Sequence, residues 1–237
     1  MVQRATPRTS AAASAAKRKT VAAATQPKVL VTGFDAFDGD AINPSWLAAQ
    51  GLHGRVILGH KVTAAQLPTV FDDSLLALRA LLKQHQPALV VCVGQAGGRS
   101  AMSLERVAIN INDARIADNA GAQPLDTPVV PGAPAAYFST LPIKAMLLAL
   151  QREGIPAEVS QTAGTFVCNH VFYGLMHLLA TQRGFKNSRG GFIHVPWLPE
   201  QGMPSMPLAD ITRGLRLAVR AALANHADVL LGAGAES

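Results

Sequence analysis

The chain carries two cysteines, Cys92 and Cys168, in unlike settings. Cys92 lies in the apolar run Val90-Val-Cys-Val93, which reads as the interior of a buried strand. A cysteine there is a small hydrophobe whose thiol stays protonated because burial disfavours the thiolate. Cys168 lies in Thr162-Ala-Gly-Thr-Phe-Val-Cys-Asn-His170, after a glycine-containing turn at the expected start of a helix. The first turn of a helix has backbone N–H groups without intrahelical partners and carries partial positive charge. Both favour a thiolate, and the same N–H groups can hold a developing oxyanion. A buried helix cysteine with no reactivity is the plain alternative.

A cysteine nucleophile needs a base in reach and a third group to orient that base. His170 is near in sequence, but residues i and i+2 point about 200° apart on a helix. His194 is better placed. It stands in Gly191-Phe-Ile-His-Val-Pro196, at the end of an expected strand, and strand ends are where open α/β sheets carry their sites. Glu105 opens the run Glu105-Arg-Val-Ala-Ile-Asn110 and is a candidate for the third place. A surface ion pair with Arg106 would explain it equally, and spacing alone does not choose it over Asp113 or Asp118.

Other chemistries fall away. Gly33-Phe-Asp-Ala-Phe-Asp-Gly39 lacks the Lys-Ser/Thr ending of a phosphate-binding loop, and Gly94-Gln-Ala-Gly-Gly98 lacks the spacing of a dinucleotide fingerprint. The seven histidines are scattered, and none forms an i, i+4 pair beside a glutamate. His170 and His177 lie two helical turns apart with no carboxylate between them, so a structural role is the better reading. Two cysteines exclude a disulfide framework and a four-cysteine zinc site.

These residues must be positioned by an alternation of strands and helices. Strands are expected at Val29–Thr32, Arg55–Val62, Ala88–Val93, Leu104–Ile111, Ala157–Gln161 and Gly191–Val195. Helices are expected at Pro44–Gln50, Pro68–His85, Pro142–Glu153, Thr165–Arg183 and Leu208–Ala227. This order predicts an α/β fold, a three-layer α/β/α sandwich around a twisted, largely parallel mixed sheet. The stretch Asn112–Ser139 is rich in Pro, Gly, Asp and Asn and too long for a plain connection, and long ordered loops are often functional.

The formal charge of +6 hints at an acidic partner, but its distribution removes the hint. Residues 1–28 hold six of the 21 cations (Arg4, Arg8, Lys17, Arg18, Lys19 and Lys28) and none of the 15 acids, so the rest of the chain is neutral. Residues 1–27 have no apolar periodicity and read as a disordered basic extension, a solvated arm or the product of a start codon placed too early. Residues 28–237 fit one domain. The longest apolar run, Ala88–Val93, is far short of the ~18 residues of a membrane span. Charged residues make up 15 % of the chain, against about 25 % in ordinary domains. With a mean hydropathy of +0.21, that suggests extra buried surface such as a subunit interface.

Five blocks, in order, resemble the pyrrolidone-carboxylate peptidase (pyroglutamyl peptidase I) family of cysteine peptidases. They are Val31-Thr-Gly-Phe-Asp-Ala-Phe-Asp-Gly39 with Asn43-Pro-Ser-Trp46; Gly94-Gln-Ala-Gly-Gly-Arg99; Glu105-Arg-Val-Ala-Ile-Asn110 with Asp113-Ala-Arg-Ile116; Thr162 to His170; and Gly191 to Pro196 continuing to Leu198-Pro-Glu-Gln201. The resemblance implies a catalytic trio of Cys168, His194 and Glu105, with Arg115 assisting the oxyanion. It implies hydrolysis of the amide bond after an N-terminal pyroglutamyl (5-oxoproline) residue through a thioester, with no metal or cofactor. It places Phe34, Phe37, Thr69, Ile116, Phe166 and Val167 around the lactam ring, and Gln95 and Asn43 nearby as polar or loop-fixing groups. Pyroglutamylated peptides as partners, a homotetramer or other homo-oligomer, and a cytoplasmic location follow as expectations, with no nucleic acid and no membrane involved.

The chain departs from the family pattern at two places in the pocket loop. Ala36 stands where the family usually has Pro, and Asp38 where it usually has Gly. Two rivals remain: a related thiol amidohydrolase with another small acyl substrate, and a non-enzymatic binder that uses the basic extension.

Overall fold

The structure, a computed structural model, describes residues 1–2 and 26–234. The extension expected over residues 1–27 therefore lies almost wholly outside the described residues. From Lys28 onward the chain forms β1 (Lys28–Phe34), β2 (Val56–Ile57), β3 (His60–Leu67), β4 (Leu89–Gln95), β5 (Met102–Glu105), β6 (Val107–Ile109), β7 (Ala136–Phe138), β8 (Ala157–Ser160) and β9 (Arg189–Val195). Seven of these make one sheet in the order β2-β3-β1-β4-β9-β5-β8. The β1–β3, β1–β4, β4–β9 and β5–β8 pairings are parallel; β2–β3 and β5–β9 are antiparallel. A separate two-stranded sheet joins β6 to β7.

Helices cover both faces. On one face α1 (Pro44–Gln50), α3 (Ile143–Arg152) and α5 (Leu208–Ala224) bury Ala48, Met146, Leu150, Leu215 and Val219 against Val29, Val31, Val91, Val93, Leu104 and Ile193. On the other, α2 (Phe71–His85) and α4 (Val167–Thr181) bury Leu78, Leu82, Val171 and Phe172 against Leu30, Phe34, Val90, Cys92 and Phe192. This is the three-layer, largely parallel α/β architecture that the alternation of elements predicts. The central strands are apolar on both faces because both are covered. No helix among the described residues is long and apolar enough to cross a membrane.

Local departures from the sequence reading have physical causes. Arg55–Val62 is a hairpin rather than one strand: Leu58 and Gly59 both take positive φ, 45° and 78°, the geometry of a tight two-residue hairpin turn. Leu104–Ile111 divides between two sheets. The Asn169 side chain captures Ile109, accepting from its N–H at 3.0 Å and donating to its carbonyl at 2.9 Å, which draws β6 away from the main sheet. The second helix begins at Phe71 rather than Pro68. Its first N–H is capped from the long loop by Asp118 Oδ2 at 2.9 Å.

Candidate active site

Strand parity puts His194 and Glu105 on one face of the sheet. Along β9, Ile193 and Val195 point into the α1/α3/α5 core while Phe192 joins the α2/α4 core. Successive side chains alternate across a strand, so His194 faces α4. Along β5, Met102 and Leu104 face the first core, so Ser103 and Glu105 face the second. The β5–β9 register sets Ser103 opposite His194, one step from Glu105. The result is a hydrogen bond of 2.7 Å between His194 Nδ1 and Glu105 Oε1. Glu105 is completely buried and His194 nearly so.

Cys168 enters from above, at the second position of α4. Among the described residues no side chain caps this helix start, and no acid lies in its first turn, so its first N–H groups can receive an anion. Opposite it stands Gly94, the register partner of His194 on β4. A Cβ at Gly94 would lie 2.7 Å from Cys168 Sγ and 2.8 Å from the Phe192 ring. Glycine is therefore what lets the sulfur settle onto the sheet beside His194.

Burial first, then the Glu105 charge, push the Cys168 thiol up to about 12, while Arg99 pulls the other way. The helix-terminus argument favours a thiolate, and burial works against it. Cys168 is partly exposed as a residue, while its sulfur packs against Gly94. Cys92 is fully buried, and burial raises its thiol to about 12 as well, as expected of a core cysteine.

Of the three carboxylates open to the third place, only Glu105 bonds His194. Asp118 accepts from Phe71, Ala120 and Ala122 backbone N–H groups and shapes the loop. Asp113 is exposed, its backbone tied to Thr165. His170 turns away from the trio, bonding Asn112 Oδ1 through Nδ1 at 2.9 Å and packing edge-on against Phe71. Arg106 is not a partner of Glu105; its Nη2 donates to the Ala233 carbonyl. Arg99, which sequence reasoning passed over, donates to Glu105 Oε1 at 3.0 Å. Its signal was its place at the end of the Gly94–Arg99 block, six residues before Glu105.

A family model described as pyroglutamyl peptidase matches residues 27–225. The chain belongs to the pyroglutamyl peptidase family. It is 57 % identical over 212 residues to the pyrrolidone-carboxylate peptidase of Klebsiella pneumoniae (strain 342), covering 87 % of this chain and 98 % of that one. It is 56 % identical over 208 residues to pyrrolidone-carboxylate peptidase 1 of Ralstonia nicotianae, covering 86 % and 96 %. The crystal structure of pyroglutamyl peptidase I from Bacillus amyloliquefaciens superposes with a TM-score of 0.85 at 48 % identity, over 87 % of this chain and all of that one. A point mutant of the pyrrolidone carboxyl peptidase from the hyperthermophile Pyrococcus furiosus superposes at 0.80 and 44 % identity, over 83 % and 98 %.

The residues that the family resemblance assigns to the pocket are spread over several elements. Phe166, at the N-cap position of α4, lies tilted against Phe37 at 6.1 Å and edge-on to Phe71 at 5.3 Å between ring centroids, with Val167 buried beside it. Phe34 is buried to 2 % exposure and packs against Phe192, a core position directly behind the site. Asn43 and Thr69 converge on Asp35. Asn43 Nδ2 donates to the Asp35 carbonyl at 2.8 Å, and Thr69 N–H donates to Asp35 Oδ1 at 2.7 Å. Asn43 also accepts from Ser45 N–H and so caps α1.

Gln95 sits at the rim, sharing Asp40 Oδ2 with Gln201. Arg115 is exposed and Ile116 half-buried, on a segment whose neighbour Asp113 bonds Thr165, three residues before Cys168. Asp38 is exposed at φ 55° within the Phe37–Asp40 turn. Its charge therefore faces solvent rather than the pocket, and its backbone explains why glycine is usual there.

Proposed function

We propose that this chain hydrolyses the amide bond after an N-terminal pyroglutamyl residue, with Cys168 as nucleophile, His194 as acid–base and Glu105 as the group that orients it. The observation that carries the reading is the fully buried Glu105 carboxylate at 2.7 Å from His194 Nδ1. That bond fixes the proton on Nδ1 and turns Nε2 into the acceptor on the face that Cys168 shares.

His194 takes the Cys168 proton as attack proceeds, or holds it beforehand as an ion pair. The sulfur adds to the pyroglutamyl carbonyl. The oxyanion is held by the Cys168 N–H at the start of α4 and by Arg115. His194 returns its proton to the leaving amine as the C–N bond breaks, leaving a thioester and a neutral peptide amine. Water, deprotonated by His194, then cleaves the thioester and releases pyroglutamate and the free thiol. Glu105 stabilises the imidazolium at each passage.

Phe37, Phe166, Val167, Thr69 and Ile116 form the proposed lactam pocket, with Phe34 as its backing and Gln95 and Asn43 as polar and loop-fixing groups. Such a site rejects a prolyl ring, which lacks the lactam carbonyl, because buried partners would go unpaired. Residues 28–237 act as one peptidase domain, cytoplasmic and assembled as a homotetramer or other homo-oligomer. The exposed Phe138 and Met203 side chains support an assembly. The test is Cys168→Ser against a pyroglutamyl aryl amide. Activity is expected to vanish there, to survive in Cys92→Ser, and to be absent on the prolyl amide; retained turnover in Cys168→Ser would overturn the assignment.

A further inference from the structure

Glu105 Oε1 is shared. It takes His194 Nδ1 at 2.7 Å and Arg99 Nη1 at 3.0 Å, while Oε2 is buried with no partner among the described residues. The Glu105 side chain has no exposure, whereas that of Arg99 is 29 % exposed. Arg99 Nη2 also points to the Thr162 carbonyl at 3.4 Å, on the loop that leads into Cys168. The other titratable groups around the carboxylate are few. Cys168 on α4 feels the Glu105 charge, and Cys92 on β4 lies on the far side of Cys168; burial raises both thiols. Glu158 on β8 is engaged by Ser103, and Arg106 turns away to Ala233.

We propose that Arg99 is a positioning residue for the trio: by sharing Glu105 Oε1 with His194 it cancels the buried carboxylate charge, so that His194 rests as a neutral base facing Cys168. The charge count makes the need plain. With Arg99, the resting unit of thiol, imidazole, carboxylate and guanidinium is neutral, and it stays neutral when the proton moves from sulfur to imidazole. Without Arg99 the resting unit holds an uncompensated buried anion. Burying such a charge is costly unless it is paired, and the cheapest remedy is a proton from solvent on His194. That proton fills the acceptor needed for the thiol. Arg99 also draws the Cys168 thiol downward while Glu105 raises it, which eases the transfer in the same direction.

The inference rests on the trio proposed above, and the test separates the two. Arg99→Met is expected to lower kcat/KM on a pyroglutamyl aryl amide about threefold at pH 7 and roughly tenfold well below the limb. The acid limb of its pH profile should move up by about one unit, so that the loss shrinks as pH rises. Arg99→Lys, which keeps the charge, should leave the limb in place. Should Arg99→Met not fold, Arg99→Gln keeps a donor to Glu105 without the charge and is expected to move the limb equally. Alkylation of Cys168 by iodoacetamide, followed against pH in a Cys92→Ser background, should show the same displacement without turnover. A uniform loss at every pH, or an unmoved limb, would overturn the role of Arg99. His194→Ala is the control: if it keeps wild-type turnover the trio itself fails, and if it is inactive while the Arg99 limb is unmoved only the present inference fails.

Discussion

Glu105 and His194 sit on neighbouring strands of the main sheet, whereas Phe37, Asn43, Thr69, Arg115 and Ile116 sit on loops. The strand-borne half is held by register: moving either residue by one position would flip its side chain to the opposite face. The loop-borne half is held by side chains that reach across. Asp35 gathers Asn43 and Thr69, Asp118 shapes the turn after Arg115, and Asn169 and His170 tie the Ile109–Asn112 segment to α4. Cys168 stands between the two halves, and its sequence neighbours Asn169 and His170 hold the loop side while its sulfur rests on the strand side. On the proposed mechanism, proton transfer depends on sheet pairing and substrate selection on a separable hydrogen-bond network.

That division can be broken from either side. The largest effect is expected from Glu105→Gln. It leaves the fold intact but presents the wrong partner to His194 Nδ1, so kcat should fall roughly 10³–10⁴-fold with little change in KM, read by steady-state kinetics. A large KM effect with kcat preserved would merge the two halves.

On the loop side, His170 is buried neutral, and burial lowers it to about 4 against the opposing pull of Asp72. Its folded value is depressed, so the stability it lends is present above the unfolded value of about 6.5 and is lost as pH falls through about 4. Thermal melts between pH 7 and pH 4 should show that loss, and His170→Gln should flatten it. A smaller effect is expected from Asn43→Ala, which removes a helix cap and the tie to Asp35. About 1 kcal/mol of stability should go, together with a several-fold rise in KM and little change in kcat. The smallest is Ala36→Pro in the pocket loop: a gain of about 0.4–1 kcal/mol by stiffening the unfolded chain, measured by denaturant unfolding, with kcat unchanged.

What could be read from the sequence divides along the same line. Cys168 was visible because a glycine turn and a helix start are local signals, and His194 because a β-run ends at Pro196. Choosing Glu105 over Asp118 was not possible locally. The choice depends on β5 lying antiparallel to β9, a contact across 89 residues of chain, and on Asp118 being engaged by backbone N–H groups. The apparent strand Leu104–Ile111 misled for a related reason: its alternation is real, but a side chain of α4 claims its second half. The hairpin at Arg55–Val62 did carry a signal, Gly59 after an exposed leucine, within a pattern that also fits a single strand.

The central claim is that Cys168 becomes acylated by the pyroglutamyl group. The most direct measurement is acid quenching of the enzyme in the steady state with a pyroglutamyl ester or aryl amide, followed by peptide mass spectrometry. The account predicts one pyroglutamyl adduct on the peptide containing Cys168, absent in His194→Ala. An adduct on Cys92, or turnover with no adduct on Cys168 under conditions where acylation outpaces hydrolysis, would contradict it.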